Sequence, residues 1–145
     1  MPAKGMRFAG YAAIFDRPDR GGDVIRKGAF AASLARLRVA AAVPLLWQHR
    51  PGHVIGRVES LAEDARGLRV IAELGTSADA ARAAELIARG RLDGLSFGYR
   101  VRGAEQRESG YRELTELELV EVSLVAEPMQ PRARVHAVEE CEIRK

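Results

Sequence analysis

Ser96, His49 and a scatter of carboxylates are the residues of this chain whose types could carry nucleophilic chemistry. A serine hydroxyl attacks poorly until a base takes its proton, so a serine mechanism needs a histidine. The sequence has three, His49, His53 and His136. His49 ends the apolar run Pro44 to Gln48 and is followed by Arg50-Pro-Gly52, which places its ring at the mouth of a strand, where functional groups tend to sit. A half-buried histidine bonded to backbone fits the same position. His49 and His53 have the four-residue spacing of a helical metal pair, but Pro51 and Gly52 between them preclude a regular helix. No metal and no cofactor is therefore expected. For His53, in a turn, and His136, on a late strand, a structural role is expected.

Ser96 lies in Gly94-Leu-Ser-Phe-Gly98, which matches the Gly-x-Ser-x-Gly pattern of a nucleophile elbow. An elbow needs a strand before the serine and a helix after it. Here a helical pattern precedes Gly94 and strand alternation runs through Ser96 to Val101, so the elbow is set aside. The two glycines still suit a serine that another backbone or a substrate approaches closely. An outward-facing strand serine fits the local pattern equally well. Cys141 is the single cysteine; it can form no internal disulfide or thiolate zinc site, and with no histidine close in sequence it reads as an incidental thiol.

The elements that would position these groups come from periodicity. Arg7 to Phe15 reads as a strand stopped by the turn-rich Asp16 to Gly22, and Gly28 to Arg38 as a short helix in which Ser33 is an ordinary member. Pro44 to Gln48 reads as a buried strand. Val54 to Leu61 and Leu68 to Leu74 flank Ala62 to Gly67 as a hairpin with one buried face. Ser77 is a predicted N-cap for the helix Ala78 to Arg89, which Gly90 ends. Leu95, Phe97, Tyr99 and Val101 then alternate with Ser96, Gly98, Arg100 and Arg102, placing Ser96 on the polar face of a strand. Glu108-Ser-Gly110 signals a hairpin. A pair of extended stretches follows, Tyr111 to Leu117 and Leu119 to Ala126, the second with Val120, Val122 and Leu124 on one face and Glu121 and Ser123 on the other. After Glu127 to Pro131, a last strand, Ala133 to Val138, precedes a charged tail expected to fray. These elements sum to an α+β, mostly antiparallel β domain with two helices.

At 145 residues, with 47% hydrophobic and 30% charged, the chain is expected to be one domain, residues 1–145, with its core at about 7–138 and flexible termini. Lys and Arg exceed Asp and Glu by 23 to 20, a net charge of +3 with both signs interspersed, so no phosphate-backbone footprint stands out and nucleic acid is not an expected partner. No apolar run is long enough to cross a bilayer and the first ten residues lack a signal-peptide core, so an intracellular protein with no membrane association is expected.

Taken together, Gly10 to Phe15, Asp23-Val-Ile25 with Gly28-Ala-Phe30, Leu45-Leu-Trp-Gln-His49, Ile55-Gly-Arg-Val58, Leu92 to Gly98, and Leu119-Val-Glu-Val-Ser-Leu-Val125 followed by Pro128 resemble the tailed-bacteriophage prohead protease family. The motifs come in that family's order and span about Arg7 to Val138. Related genes also occur in phage-derived gene transfer agents. The resemblance implies a herpesvirus-assemblin-like, mostly antiparallel β-barrel with two or more flanking helices. It implies a serine endopeptidase acting in the host cytoplasm, inside the assembling prohead, on scaffold and capsid-protein segments and on itself. Carried over, Ser96 is the nucleophile, His49 the general base and Glu121 the third member, where herpesvirus assemblins use a second histidine. A candidate oxyanion hole is the turn Pro128 to Arg132. Assemblins are activated by dimerisation, so a homodimer is allowed. Arg50 and Val54 stand where the family often has an acidic residue and a proline, departures that bear on substrate preference or loop shape. With only a short tail beyond Val138, any propeptide or targeting extension is expected to be missing or already removed. The competing readings are a catalytically inactive β-barrel module for capsid assembly or scaffold binding, and a small esterase using Ser96 with His136.

Overall fold

The computed structural model describes residues 4–107 and 110–142. In chain order the elements are β1 (Lys4–Ile14), β2 (Asp23–Ile25), α1 (Ala31–Arg36), a 3-10 turn (Ala40–Ala42), β3 (Pro44–Trp47), β4 (Val54–Glu63), β5 (Gly67–Leu74), α2 (Ala78–Ala88), β6 (Gly94–Gln106), β7 (Arg112–Val125) and β8 (Val135–Glu142). They form an α+β fold built on one curled, mostly antiparallel sheet. The β4–β5 hairpin and α2 follow the sequence pattern closely. Ser77 Oγ accepts from Ala80 N at 3.1 Å, and the αL glycine Gly90 closes α2 with Arg91 N bonded back to Leu86 O. The first helix is shorter than Gly28 to Arg38. Gly28 has φ +91° and Leu37 is extended, so the helical backbone is confined between them.

The sheet order is β2-β7-β3-β4-β5-β1-β8, with β6 pairing the other edge of β7 along its length. β2 and β3 run parallel to β7; the other pairings are antiparallel. Closure of the barrel comes from Ala133–Val135. Leu95 N bonds to Ala133 O and Val135 N to Asp93 O on one side, while Tyr11 N bonds to Arg134 O on the other. The last strand therefore begins at Val135 rather than at Ala133, and its pairing with β1 extends to Glu142. The Glu108-Ser-Gly110 signal falls mostly outside the described residues; beside it, Arg107 N donates to Tyr111 O and Gly110 N to Arg107 O.

The interior is filled from all sides by Phe8, Phe30, Leu45, Ile55, Leu68, Leu95, Leu117 and Leu124, each almost wholly buried. Each contributes roughly 1.5–3 kcal/mol of hydrophobic stabilisation. Phe30 meets Phe97 edge-on at 5.2 Å, tying α1's entry to β6.

The two extended stretches Tyr111 to Leu117 and Leu119 to Ala126 are a single 14-residue strand. A bulge explains the difference. Gly98 pairs with Glu121 and Tyr99 with Leu119, so Val120 is the extra residue, and it is 42% exposed instead of sharing the core face of Val122 and Leu124. Further register shifts follow at Val101/Gly103 and Gly103/Ala104, and Val101 is 38% exposed although its partner Leu117 is buried. Ser33 is no ordinary helix residue. It is buried, and its Oγ accepts from Leu119 N at 3.0 Å beside the bulge. Ser33→Ala leaves that amide buried without its acceptor and is expected to cost about 1–3 kcal/mol, read as a lower urea midpoint at unchanged slope.

Candidate active site

Residues directly opposite in an antiparallel pair project from the same face, and so do residues two apart on one strand. Ser96 is opposite Ser123 and Gly98 is opposite Glu121. One face of the β6–β7 pair therefore carries Ser96, Glu121 and Ser123, as the polar alternation predicts, while Leu95, Val122 and Leu124 point into the core. The polar face is itself covered, with Ser96 at 6%, Glu121 at 7% and Ser123 at 0% exposure.

The cover is the turn after β3. Because β3 runs parallel to β7, with Leu46 beside Ser123 and Trp47 beside Leu124, its end delivers His49 to the Glu121–Ser123 segment. Gln48 N continues the ladder to Leu124 O at 2.9 Å. The chain then reverses within Trp47–Arg50, Arg50 N bonding to Trp47 O, with positive φ at both central residues, +49° at Gln48 and +60° at His49. Two adjacent non-glycine residues in that region cost roughly 1–2 kcal/mol each, so the turn persists because its surroundings hold it. Gln48 Oε1 accepts from Ala126 N at 3.0 Å, and Ser123 Oγ accepts from His49 N at 3.1 Å.

His49 Nδ1 is hydrogen-bonded to Glu121 Oε1. An ionised carboxylate only accepts, so the ring proton sits on Nδ1 and Nε2 is left as the acceptor. The second carboxylate oxygen, Oε2, accepts from Ser123 Oγ at 2.5 Å. The ring is 43% exposed and the carboxylate behind it 9%. His49 and Ser96 line one small pocket of about 100 Å³ together with Ala12, Asp19, Phe97, Tyr99, Met129 and Gln130. Burial, reinforced by the Asp23 and Asp19 carboxylates, pushes the Tyr99 hydroxyl above its ordinary value.

The pattern Gly94-Leu-Ser-Phe-Gly98 serves packing rather than an elbow. A Cβ on Gly94 would lie 2.4 Å from Val125 O and 2.9 Å from Pro128 Cδ, and one on Gly98 would lie 2.6 Å from Glu121 Oε1. Gly98 is the space into which the carboxylate folds. The turn Pro128 to Arg132 reaches the same pocket through Met129 and Gln130. It is pinned by the Gln130 side chain, which accepts from Ile14 N and donates to Ile14 O, both at 2.8 Å.

His53 and His136 stand apart from this arrangement. His53 is exposed beside Asp79 of α2 at 3.3 Å, and His136 is exposed on β8 with its ring 5.8 Å from that of Tyr11; neither lines the pocket that holds Ser96 and His49. Cys141 sits opposite Gly5 on β8; its side chain is outside the described residues. The strand alternation places Ser123 beside Glu121 and Gly98 beside Ser96 without giving either a partner, and no local pattern points to Asp19.

The curled, mostly antiparallel barrel belongs to the herpesvirus-protease class of folds. The structure of KSHV protease in complex with a hexapeptide phosphonate inhibitor matches over 96% of this chain and 66% of its own, with a TM-score of 0.64 at 15% identity. That of the bacteriophage T4 capsid assembly protease matches over 83% and 81%, with a TM-score of 0.69 at 14% identity. By sequence, residues 2–144 match the caudovirus prohead serine protease family, and the chain belongs to it. The prohead protease of Enterobacteria phage HK97 is 34% identical over 96 residues, 65% of this chain, and the chain spans 42% of that relative's length.

Gly98→Ala tests the carboxylate's seat. The atom in the way is the end of a flexible side chain, so stability should fall by only about 1 kcal/mol, the low end for an added methyl. The carboxylate should swing off His49, seen as loss of the hydrogen-bonded Nδ1 proton in the NMR spectrum.

Proposed function

We propose that this chain is a serine endopeptidase of capsid maturation, with Ser96 as nucleophile, His49 as general base and Glu121 as the group that orients the histidine. The observation that carries the reading is the His49 Nδ1–Glu121 bond at the pocket that Ser96 lines. With the proton fixed on Nδ1, Nε2 is free to take the proton of Ser96 Oγ as the hydroxyl attacks a peptide carbonyl, and then to give it to the leaving amine. Water repeats the sequence on the acyl-enzyme. A buried carboxylate next to the ring favours the imidazolium that forms in between. Base catalysis of this kind supplies roughly 10²- to 10⁴-fold in rate. The backbone N–H groups of Met129 and Gln130, on the turn pinned to Ile14, are the proposed donors to the developing oxyanion.

The proposed substrates are segments of the capsid and scaffold proteins and the protease's own chain, cut in the cytoplasm of the bacterial host inside the assembling shell of a phage or a gene transfer agent. Membership of the prohead protease family supports this setting. Among the described residues no helix is long and apolar enough to cross a membrane.

Intact-mass spectrometry of the wild type, Ser96→Ala, His49→Ala and Glu121→Gln, each with and without a serine-directed phosphonate, tests the roles. A single adduct is expected in the wild type and none in Ser96→Ala or His49→Ala, with Glu121→Gln labelled roughly 10²- to 10⁴-fold more slowly. An adduct that persists in Ser96→Ala would remove the serine from its role. Cleavage of the co-expressed capsid protein by the wild type and not by Ser96→Ala separates a protease from an inactive assembly module.

A further inference from the structure

Ser123 lies outside the three proposed reacting groups, yet its wholly buried hydroxyl has two partners, both belonging to them. It donates to Glu121 Oε2 at 2.5 Å and accepts from the backbone N–H of His49 at 3.1 Å. The hydroxyl has one proton, directed at the carboxylate, so its lone pairs face the amide. The bonds form a closed ring: His49 N–H to Ser123 Oγ, Ser123 O–H to Glu121 Oε2, and Glu121 Oε1 back to Nδ1 of the same histidine.

We propose that Ser123 is a positioning residue, which locks the His49 ring to the Glu121 carboxylate by bonding at once to the backbone of the first and the side chain of the second. Three features of the ring support this. The His49 turn has positive φ at two successive non-glycine residues and does not hold that shape unaided. Ser123 supplies the acceptor for the second of them. A glutamate has three side-chain torsions, and Gly98 leaves an opening rather than a wall on one side of its carboxylate. The Ser123 donor fixes which oxygen faces away from the histidine, so that Oε1 alone meets Nδ1. Finally, Ser123 is directly opposite Ser96 across the β6–β7 pair, so the hydroxyl that anchors the histidine and the hydroxyl proposed to react are placed by one register. A role limited to filling space would need neither the donor nor the acceptor.

The consequence for rate rests on the protease reading, while the geometry does not, so two readouts are needed. The first is the hydrogen-bonded His49 Nδ1 proton and the ring tautomer, followed by NMR in wild type, Ser123→Ala and Ser123→Thr. The second is the rate at which a phosphonate labels Ser96 in the same proteins from acid to alkaline pH. Ser123→Ala should keep the fold by circular dichroism, lose or broaden the Nδ1 proton, and label up to about 10²-fold more slowly, the scale of a misplaced reacting group. Ser123→Thr keeps the hydroxyl and should restore both readouts in large part; Ser123→Cys is the substitute if the threonine methyl prevents folding. A Ser123→Ala protein that is folded and retains the wild-type Nδ1 proton overturns the proposal, as does a folded hydroxyl-bearing variant no better than alanine. If the wild type takes no label at all, the protease reading fails and the NMR comparison still decides the role of Ser123.

Discussion

The pairing of Ser96 with Ser123 and of Gly98 with Glu121 is the constraint on which the arrangement around the pocket depends. A slip of one residue between β6 and β7 would turn Ser96 toward the core and bring Phe97 out in its place. Several contacts remote from the pocket resist that slip. Leu95, Val122 and Leu124 are packed in the core on the opposite face, and Gly94 fits against the Val125 carbonyl and the Pro128 ring with no room for another residue. At the other end, the bulge at Val120 absorbs one residue of β7, and Ser33 of α1 satisfies the amide beside it. A short helix thus helps to set which β7 residue stands opposite Gly98.

The second constraint is the direction of β3. A parallel neighbour ends beside the residues that β7 has just reached, so the turn after Trp47 falls on Ser123 and Leu124 rather than at the far end of the strand. That turn is strained at Gln48 and His49, and its bonds to Leu124, Ser123 and Ala126 offset the strain. The exposures have a chemical meaning. His49 stays half open to solvent, while the carboxylate behind it is buried, where a hydrogen bond is electrostatically stronger than in water.

Much of this was legible in the chain. The period of two put Ser96 on one face of its strand and Glu121 with Ser123 on one face of theirs, and the Pro-Gly after His49 put the ring at a strand end. What periodicity does not encode is the identity of the neighbouring strand. Nothing local to Pro44 to Gln48 says that it will run parallel to β7, and nothing in Ala133 to Val135 says that these residues close a barrel between β6 and β1. A bulge is likewise invisible to an alternation count, since it moves one residue across faces without altering the residues themselves. That is why alternation groups Val120 with Val122 and Leu124 and divides one long strand into two stretches. Ser33 was missed for the same reason, because its partner is an amide freed by a bulge 86 residues away.

The glutamate at position 121 is accommodated by its cross-strand partner. A glutamate at position 121 points toward β6 and would collide with any side chain at position 98, whose first carbon would lie within 2.9 Å of Glu121 Cγ as well as against Oε1. With glycine there, the side chain can lie over β6, and its carboxylate reaches the ring of His49 with one oxygen and Ser123 with the other. A buried carboxylate needs hydrogen-bond partners for its charge, and those two supply them. Replacing the glycine by a larger residue would therefore favour a group at 121 that is neutral or differently shaped, and replacing Ser123 would leave a buried oxygen unpaired. Gly98, Glu121 and Ser123 form one unit in which each residue type is set by the other two, and His49 is the group the unit is built to hold.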